Sequence, residues 1–220
     1  MLVSNSYTSI NIFLNFIRLW KGKNMIVRTI LKNAMAIYCH LVYKLDIKGL
    51  ENIPKEQPAI ICPNHVHMLD SISVVMFIKR MIHPMAKEEL FNTKFKNWVM
   101  REVGCYPVSR GKSDMKAIED SKKYLEQGDL LMIFPEGTRN GMEKGIKLKK
   151  GAALIALTEN VPIIPVGIEG NYKPFTKVKI RIGKPITMDE YSTCKEINPR
   201  EVVMLTDRLK DEIMALKNEE

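Results

Sequence analysis

Four short segments of this chain gather residues able to do chemistry. The first is Asn64-His65-Val66-His67-Met68-Leu69-Asp70. A carboxylate that accepts a hydrogen bond from one imidazole nitrogen fixes the ring tautomer and leaves the other nitrogen as a base. Spacing alone does not deliver that pair. Five residues along a regular helix turn about 500°, or about 140° net, so His65 and Asp70 would not share a face. They meet only if His65 lies in a turn and Asp70 near the start of the following helix. Two other readings stay open: an Asp capping a helix beside an unrelated His, and a metal site through His65, His67 and Asp70. For the latter, no further Cys/His/Glu cluster completes a shell.

The second segment, Gly104–Lys112, carries Arg110 after a short apolar run. Its planar, permanently charged fork suits a phosphate, although taken alone a solvated surface Arg is the favoured reading. The third is Phe134-Pro135-Glu136-Gly137-Thr138-Arg139. Gly137 permits close backbone approach, so its amide can bind an oxyanion; Thr138 and Arg139 add donors. Glu136, an acid at the end of an apolar run, needs a partner such as a cation or a substrate hydroxyl. A plain turn is the competing reading. The fourth, Val161-Pro162-Ile163-Ile164-Pro165-Val166, is an apolar strand able to wall a site, its prolines confined to places without ladder donors.

The elements between these segments alternate. Apolar runs at 58–65, 83–87, 105–110, 129–134 and 161–170 read as strands, and Lys177–Gly183 alternates like an edge strand. Helical spacing marks 68–80, with Ser71 or Asp70 at its start, then 88–104, 114–128, 151–160 and 199–220. Gly104 and Gly128 stand where two of these helices should stop. This alternation predicts an α/β domain over 45–220, with a mostly parallel or mixed central sheet flanked by helices. All four chemical segments fall at the ends of predicted strands, where ligand sites of open α/β sheets collect.

Residues 1–44 form a separate segment. Across residues 1–50, Arg18, Lys21, Lys23, Arg28, Lys32, Lys44 and Lys48 face Asp46 alone, among many large apolar residues and Trp20, Tyr38 and Tyr43. That mixture predicts amphipathic helices lying in a membrane interface, peripheral or monotopic on the cytoplasmic face of the cell membrane. The alternative is an ordinary helix packed on the domain. Asn15 and Arg18, then Arg28, Lys32 and Asn33, interrupt the apolar runs too often for a spanning helix. The whole chain of 220 residues carries a net charge of +9 with 45% apolar residues, which excludes a disordered or low-complexity chain. Its basic residues are interleaved with aliphatics, so nucleic acid is not the expected partner. Cys39, Cys62, Cys105 and Cys194 are scattered and suggest neither a zinc ribbon nor a disulfide framework.

The four segments, in this order, resemble the blocks of the glycerolipid acyltransferase family. That family's Asn-His, four residues, Asp is matched by Asn64, His65 and Asp70; its Arg-ending block by Tyr106–Arg110; its Phe-Pro-Glu-Gly-Thr-Arg by Phe134–Arg139; its Val-Pro-Ile-x-Pro-Val by Val161–Val166. The resemblance covers about 45–185. It implies transfer of a fatty acyl group from acyl-CoA or acyl-carrier protein to the sn-2 hydroxyl of 1-acylglycerol-3-phosphate (lysophosphatidic acid), giving phosphatidic acid without a further cofactor. His65 would be the general base and Asp70 its orienter. Arg110, Glu136, Gly137, Thr138 and Arg139 would contact the acceptor's glycerol phosphate. Cys62 and Ser71, near His65, read as structural. Many members carry Ser two positions after the His; here it is His67, which can alter hydrogen bonding around Asp70 or add a second titrating group. An acyltransferase for another lyso-lipid and a non-catalytic lipid-binding protein of the membrane surface are the alternatives.

Overall fold

The structure, a computed structural model, describes residues 25–109, 115–191 and 198–219. In chain order the strands are β1 (Lys44–Lys48), β2 (Ala59–Pro63), β3 (Ile82–Lys87), β4 (Tyr106–Val108), β5 (Leu130–Met132), β6 (Ile163–Glu169) and β7 (Lys177–Ile182). The helices are α1 (Met25–Val42), α2 (Asp70–Val75), α3 (Lys94–Glu102), α4 (Met115–Glu126), α5 (Gly151–Glu159) and α6 (Pro199–Lys217). One sheet takes the order β1-β7-β6-β2-β5-β3-β4. The five strands from β6 to β4 are parallel, β7 runs against β6, and β1 runs with β7. The sheet is therefore mixed, within the predicted class.

β2 sits at the centre because all five of its residues are buried, as an apolar strand covered on both faces must be. Its alternating side chains enter two cores. Ile60 and Cys62 join Leu131 and Ile163 under α4, α5 and α6. Ala59 and Ile61 join Met132, Ile164 and Ile180 under α1 and α2. Helix α1 packs on the domain through the buried Cys39, yet leaves Ile30, Ile37, Tyr38 and Leu41 exposed. Residues 1–24 of the predicted interfacial segment lie outside the described residues. Among the described residues no helix is long and apolar enough to cross a membrane.

Three elements differ from their sequence expectation. Lys177–Gly183 was expected at an edge, but β7 lies between β1 and β6. Its alternation has another cause: Arg181 is buried and donates to the Asp46 carboxylate at 2.9 Å and to its carbonyl at 3.0 Å. The helix expected over 68–80 ends at Val75. Beyond it, Arg80 is drawn off to cap the carbonyls of Pro54, Glu56, Gln57 and Gly128. The helix expected over 88–104 is divided, because Thr93 caps a new start by accepting from Lys96 N at 3.2 Å.

The Asp46 cluster makes acid stability testable. Hydrogen bonds from Arg181 and then Lys177 hold the Asp46 carboxyl down at about 2. A carboxyl lowered by folding contributes stability that is present above its ordinary value near 4 and lost as pH falls towards 2. Asp46→Asn should lower the melting temperature at neutral pH and flatten its decline between about pH 4 and 2. Thermal unfolding followed by circular dichroism across that range checks it, and an unchanged profile refutes it.

Candidate active site

β2 ends at Pro63, and the next residue anchors the turn that follows. The Asn64 side chain donates to Ile168 O at 2.9 Å and accepts from Ile168 N at 2.6 Å, tying the turn to β6. His65 then lies in the turn and Asp70 opens α2, the one arrangement in which the two can meet. His65 Nδ1 lies 2.8 Å from Asp70 Oδ2. The same oxygen accepts from Val66 N and His67 N, both at 2.7 Å. Asp70 is 0% exposed, so these donors offset the cost of burying its charge. An ionised carboxylate only accepts, which places the ring proton on Nδ1 and leaves the Nε2 lone pair basic. His65 keeps 21% of its side chain exposed. Asp70 therefore clamps the amides in front of its helix as well as orienting the imidazole.

The Phe134–Asn140 loop laces onto this turn from the C-terminal end of β5. Glu136, 2% exposed, accepts from His65 N at 2.7 Å through Oε1 and from Met142 N at 2.9 Å through Oε2. The partner expected for this buried acid was a cation or a substrate hydroxyl. Instead backbone amides take both oxygens. Asn140 N donates to His65 O at 2.6 Å, so His65 is held through both its own amide and its own carbonyl. The Phe134 ring lies against the imidazole at 4.3 Å between centroids. None of this lacing is visible in residue spacing, because each bond involves a main-chain group, and Glu136 reaches the His65 amide across 71 positions.

Gly137 N donates to Phe134 O at 3.1 Å, which closes the turn; the amide is engaged there rather than presented as an oxyanion donor. Thr138 is half-buried and Arg139 exposed. Arg110 lies outside the described residues. Lys149, one of several lysines in a basic loop and carrying no motif signal, runs beside Gly137. A Cβ on Gly137 would lie 2.6 Å from Lys149 Cε and 3.0 Å from its Nζ, at a φ of +63°. Gly137→Ala therefore strains the turn and displaces that ammonium. We expect a melting temperature lower by roughly 2–8 °C, from about 1–2 kcal/mol of left-handed backbone strain. If this turn positions groups for the reaction, turnover should fall about tenfold or more, since small displacements in a reacting site are costly. Parallel melting curves and initial rates check both values.

The His67 ring makes no hydrogen bond to Asp70. Only its amide reaches the carboxylate; its ring stacks on Tyr172 at 5.0 Å, and its Nδ1 accepts from Leu69 N at 3.3 Å. The metal reading through His65, His67 and Asp70 finds no convergent ligand set, and no group of three or more His, Cys, Asp or Glu among the described residues is placed to hold an ion. Below this layer Tyr172 Oη lies 2.7 Å from Ser73 Oγ, which donates to Asp70 O at 3.0 Å. Burial, then the Asp70 charge, pushes the Tyr172 phenol far up, so it stays protonated. Cys62 is fully buried, and burial pushes its thiol so high that it is no nucleophile.

A second His–Asp pair provides a control. His83 is buried, with Nε2 3.1 Å from Asp129 Oδ2, Nδ1 2.9 Å from Gly104 O, and its ring stacked on Tyr124. Both of its nitrogens are committed, whereas His65 commits one. His83 lies at the start of β3, opposite the strand ends that carry His65.

The fold and this turn define an α/β enzyme that presents a carboxylate-oriented imidazole at the ends of parallel strands, a base suited to activating a hydroxyl. The Acyltransferase family model matches residues 44–169. The chain belongs to that acyltransferase family. It is 28% identical over 192 residues to the 1-acyl-sn-glycerol-3-phosphate acyltransferase of Bacillus subtilis (strain 168), covering 84% of this chain and 94% of that one. It is 23% identical over 214 residues to the human 1-acyl-sn-glycerol-3-phosphate acyltransferase alpha, covering 90% and 73%. Among solved structures it is similar to the 1-acyl-sn-glycerophosphate acyltransferase PlsC of Thermotoga maritima, with a TM-score of 0.65, 26% identity, and 97% and 90% of the two chains covered.

Proposed function

We propose that this enzyme transfers a fatty acyl group from a thioester, acyl-CoA or acyl-carrier protein, to the sn-2 hydroxyl of 1-acylglycerol-3-phosphate, producing phosphatidic acid for phospholipid synthesis. The observation that carries the reading is the His65–Asp70 contact, with Nδ1 spent on the carboxylate and Nε2 left basic. The relatives named for this reaction, in bacteria and in animals, support the choice of acceptor.

In this reading His65 Nε2 takes the proton of the acceptor hydroxyl as its oxygen attacks the thioester carbonyl. The C–O bond forms, a tetrahedral oxyanion follows, and the C–S bond breaks. The imidazolium proton passes to the departing thiolate, which leaves as a thiol, and the base is restored. No acyl-enzyme forms, in keeping with the inert Cys62. Arg139, Thr138 and Arg110 bind the acceptor phosphate, and Lys149 joins them beside Gly137. Glu136 acts through the backbone of His65 rather than on substrate. The acceptor resides in a bilayer, so the protein works as a peripheral or monotopic enzyme on the cytoplasmic face of the cell membrane.

Purified protein incubated with labelled acyl-CoA or acyl-carrier protein and a panel of lyso-lipids, scored by product mass, tests this. Phosphatidic acid from lysophosphatidic acid is the expected product. Preference for a headgroup-bearing or phosphate-free acceptor overturns the acceptor assignment, and absence of thiol release overturns the reaction.

A further inference from the structure

The end of the sheet that carries His65 also collects exposed apolar side chains. The C-terminal ends of β2, β3, β5 and β6 lie there, and because β7 and β1 are reversed, their starts do too. Met68 is exposed on the turn after β2, Phe175 (72%) on the β6–β7 connection, and Leu41 on the last turn of α1, where Phe175 N donates to Val42 O. The richest element is α3. The chain leaves β3 at Lys87, so α3 opens from this end with Phe95 and Trp98 in its first five positions; the crossing then descends until Gly104 O meets His83 Nδ1 near the start of β3, and Tyr106 pairs opposite Met85. None of the nine residues of α3 is buried. Phe95 is 72% exposed and Trp98 44%, with ring centroids 6.2 Å apart, beside exposed Leu90. An aromatic helix that contributes nothing to the core is not explained by folding.

We propose that this end of the sheet docks on an anionic bilayer, with the Phe95–Trp98 pair of α3 seated among the headgroups. The charges around it fit. Arg139, Lys144, Lys147, Lys149 and Lys150 rise from the loop beside the site, while Glu143 within that loop is already paired with Lys217. Lys94 and Lys96 flank Phe95. Cations around Trp and Phe are the composition of an interfacial element. The apolar groups also come from separate segments spread over one end, which suits a broad lipid surface better than the single groove a protein partner would need. Docking in this pose opens the His65 turn directly towards the membrane. The proposal rests on the lipid-acceptor reading only for where the acceptor sits; membrane contact is measured independently.

The chain has two tryptophans, Trp20 and Trp98, so Trp20→Phe makes Trp98 the sole reporter. The full-length variant is mixed with phosphatidylglycerol–phosphatidylcholine vesicles carrying brominated acyl chains. A blue-shifted Trp98 emission that the bromines quench is expected. Vesicle-bound protein with unchanged Trp98 emission overturns the proposal, as does absence of binding. A response to acidic acyl-carrier protein but not to vesicles overturns it in favour of a protein partner. Phe95→Ser combined with Trp98→Ser should weaken vesicle affinity, and acylation of a vesicle-borne acceptor, by about tenfold or more. It should leave turnover of a short-chain acceptor in monomeric solution unchanged; equal loss on both acceptors overturns the docking role. If the unsubstituted enzyme acylates neither acceptor, the proposed function fails and quenching alone decides the docking face.

Discussion

Replacing His65 with alanine should abolish acyl transfer, lowering turnover by about 10³-fold or more while the sheet stays folded. Two features of the turn separate these effects. The backbone of His65 is held by Glu136 and Asn140, and an alanine makes the same two hydrogen bonds. The Asp70 carboxylate loses one donor but keeps the amides of Val66 and His67. The stability cost is therefore that of one charge-assisted hydrogen bond, about 1–3 kcal/mol, against a base with no substitute nearby. The His67 ring is turned onto Tyr172, and both nitrogens of His83 are committed elsewhere. Circular dichroism with thiol release and product mass makes the check. A folded His65→Ala protein that retains a tenth of normal turnover would sink the assignment of the base.

Why the His65–Asp70 pair was legible in the sequence is a matter of chain geometry. Helical phase forbids the contact, so the spacing demanded a turn followed by a helix start, and the buried strand ending at Pro63 followed by a helix opening at Asp70 provides that. Strand ends were likewise legible, because continuous apolar runs mark strands buried on both faces. What stayed hidden was made by the main chain. An acid at the end of an apolar run marks Glu136 as needing partners, yet those partners are the amides of His65 and Met142, which carry no residue-type signal. Asn140 N, clasping His65 O, has the same invisibility. The edge assignment of β7 failed for a different reason. Alternation normally records one wet face, but here the polar position Arg181 is buried against Asp46 of β1, a pairing across 135 residues. Lys149 stood within a run of lysines that reads as solvated loop, and only its passage over Gly137 brings it to the site.

The contrast between His65 and His83 explains how a His–Asp contact can be either machinery or mortar. Both imidazoles face a carboxylate, and sequence ranks neither. His83 is stacked on Tyr124 with each nitrogen satisfied, which rigidifies the start of β3. His65 keeps an exposed edge and one basic nitrogen at the end where β2, β5 and β6 finish. The proposed catalytic role of His65 rests on that incomplete satisfaction, and the lacing by Glu136 and Asn140 keeps an incompletely bonded ring in one place.

Asp70→Asn should lower turnover by about 10²–10⁴-fold with little change in folding or in acceptor KM. The asparagine carbonyl can occupy the place of Oδ2 and still accept from Val66 N, His67 N and His65 Nδ1. Its amide then falls where Oδ1 lies, a buried oxygen without a hydrogen-bond partner in the described structure. The turn survives, but the negative charge that stabilises the imidazolium formed during attack is gone. Asp70→Ala differs in kind. It leaves two half-buried amides, of Val66 and His67, without their acceptor and should cost about 1–3 kcal/mol of stability besides the activity. Comparing the two variants by melting temperature, kcat and KM divides the clamp from the charge. If Asp70→Asn keeps near-normal kcat while Asp70→Ala unfolds, Asp70 only clamps the turn before its helix, and the carboxylate has no part in the chemistry.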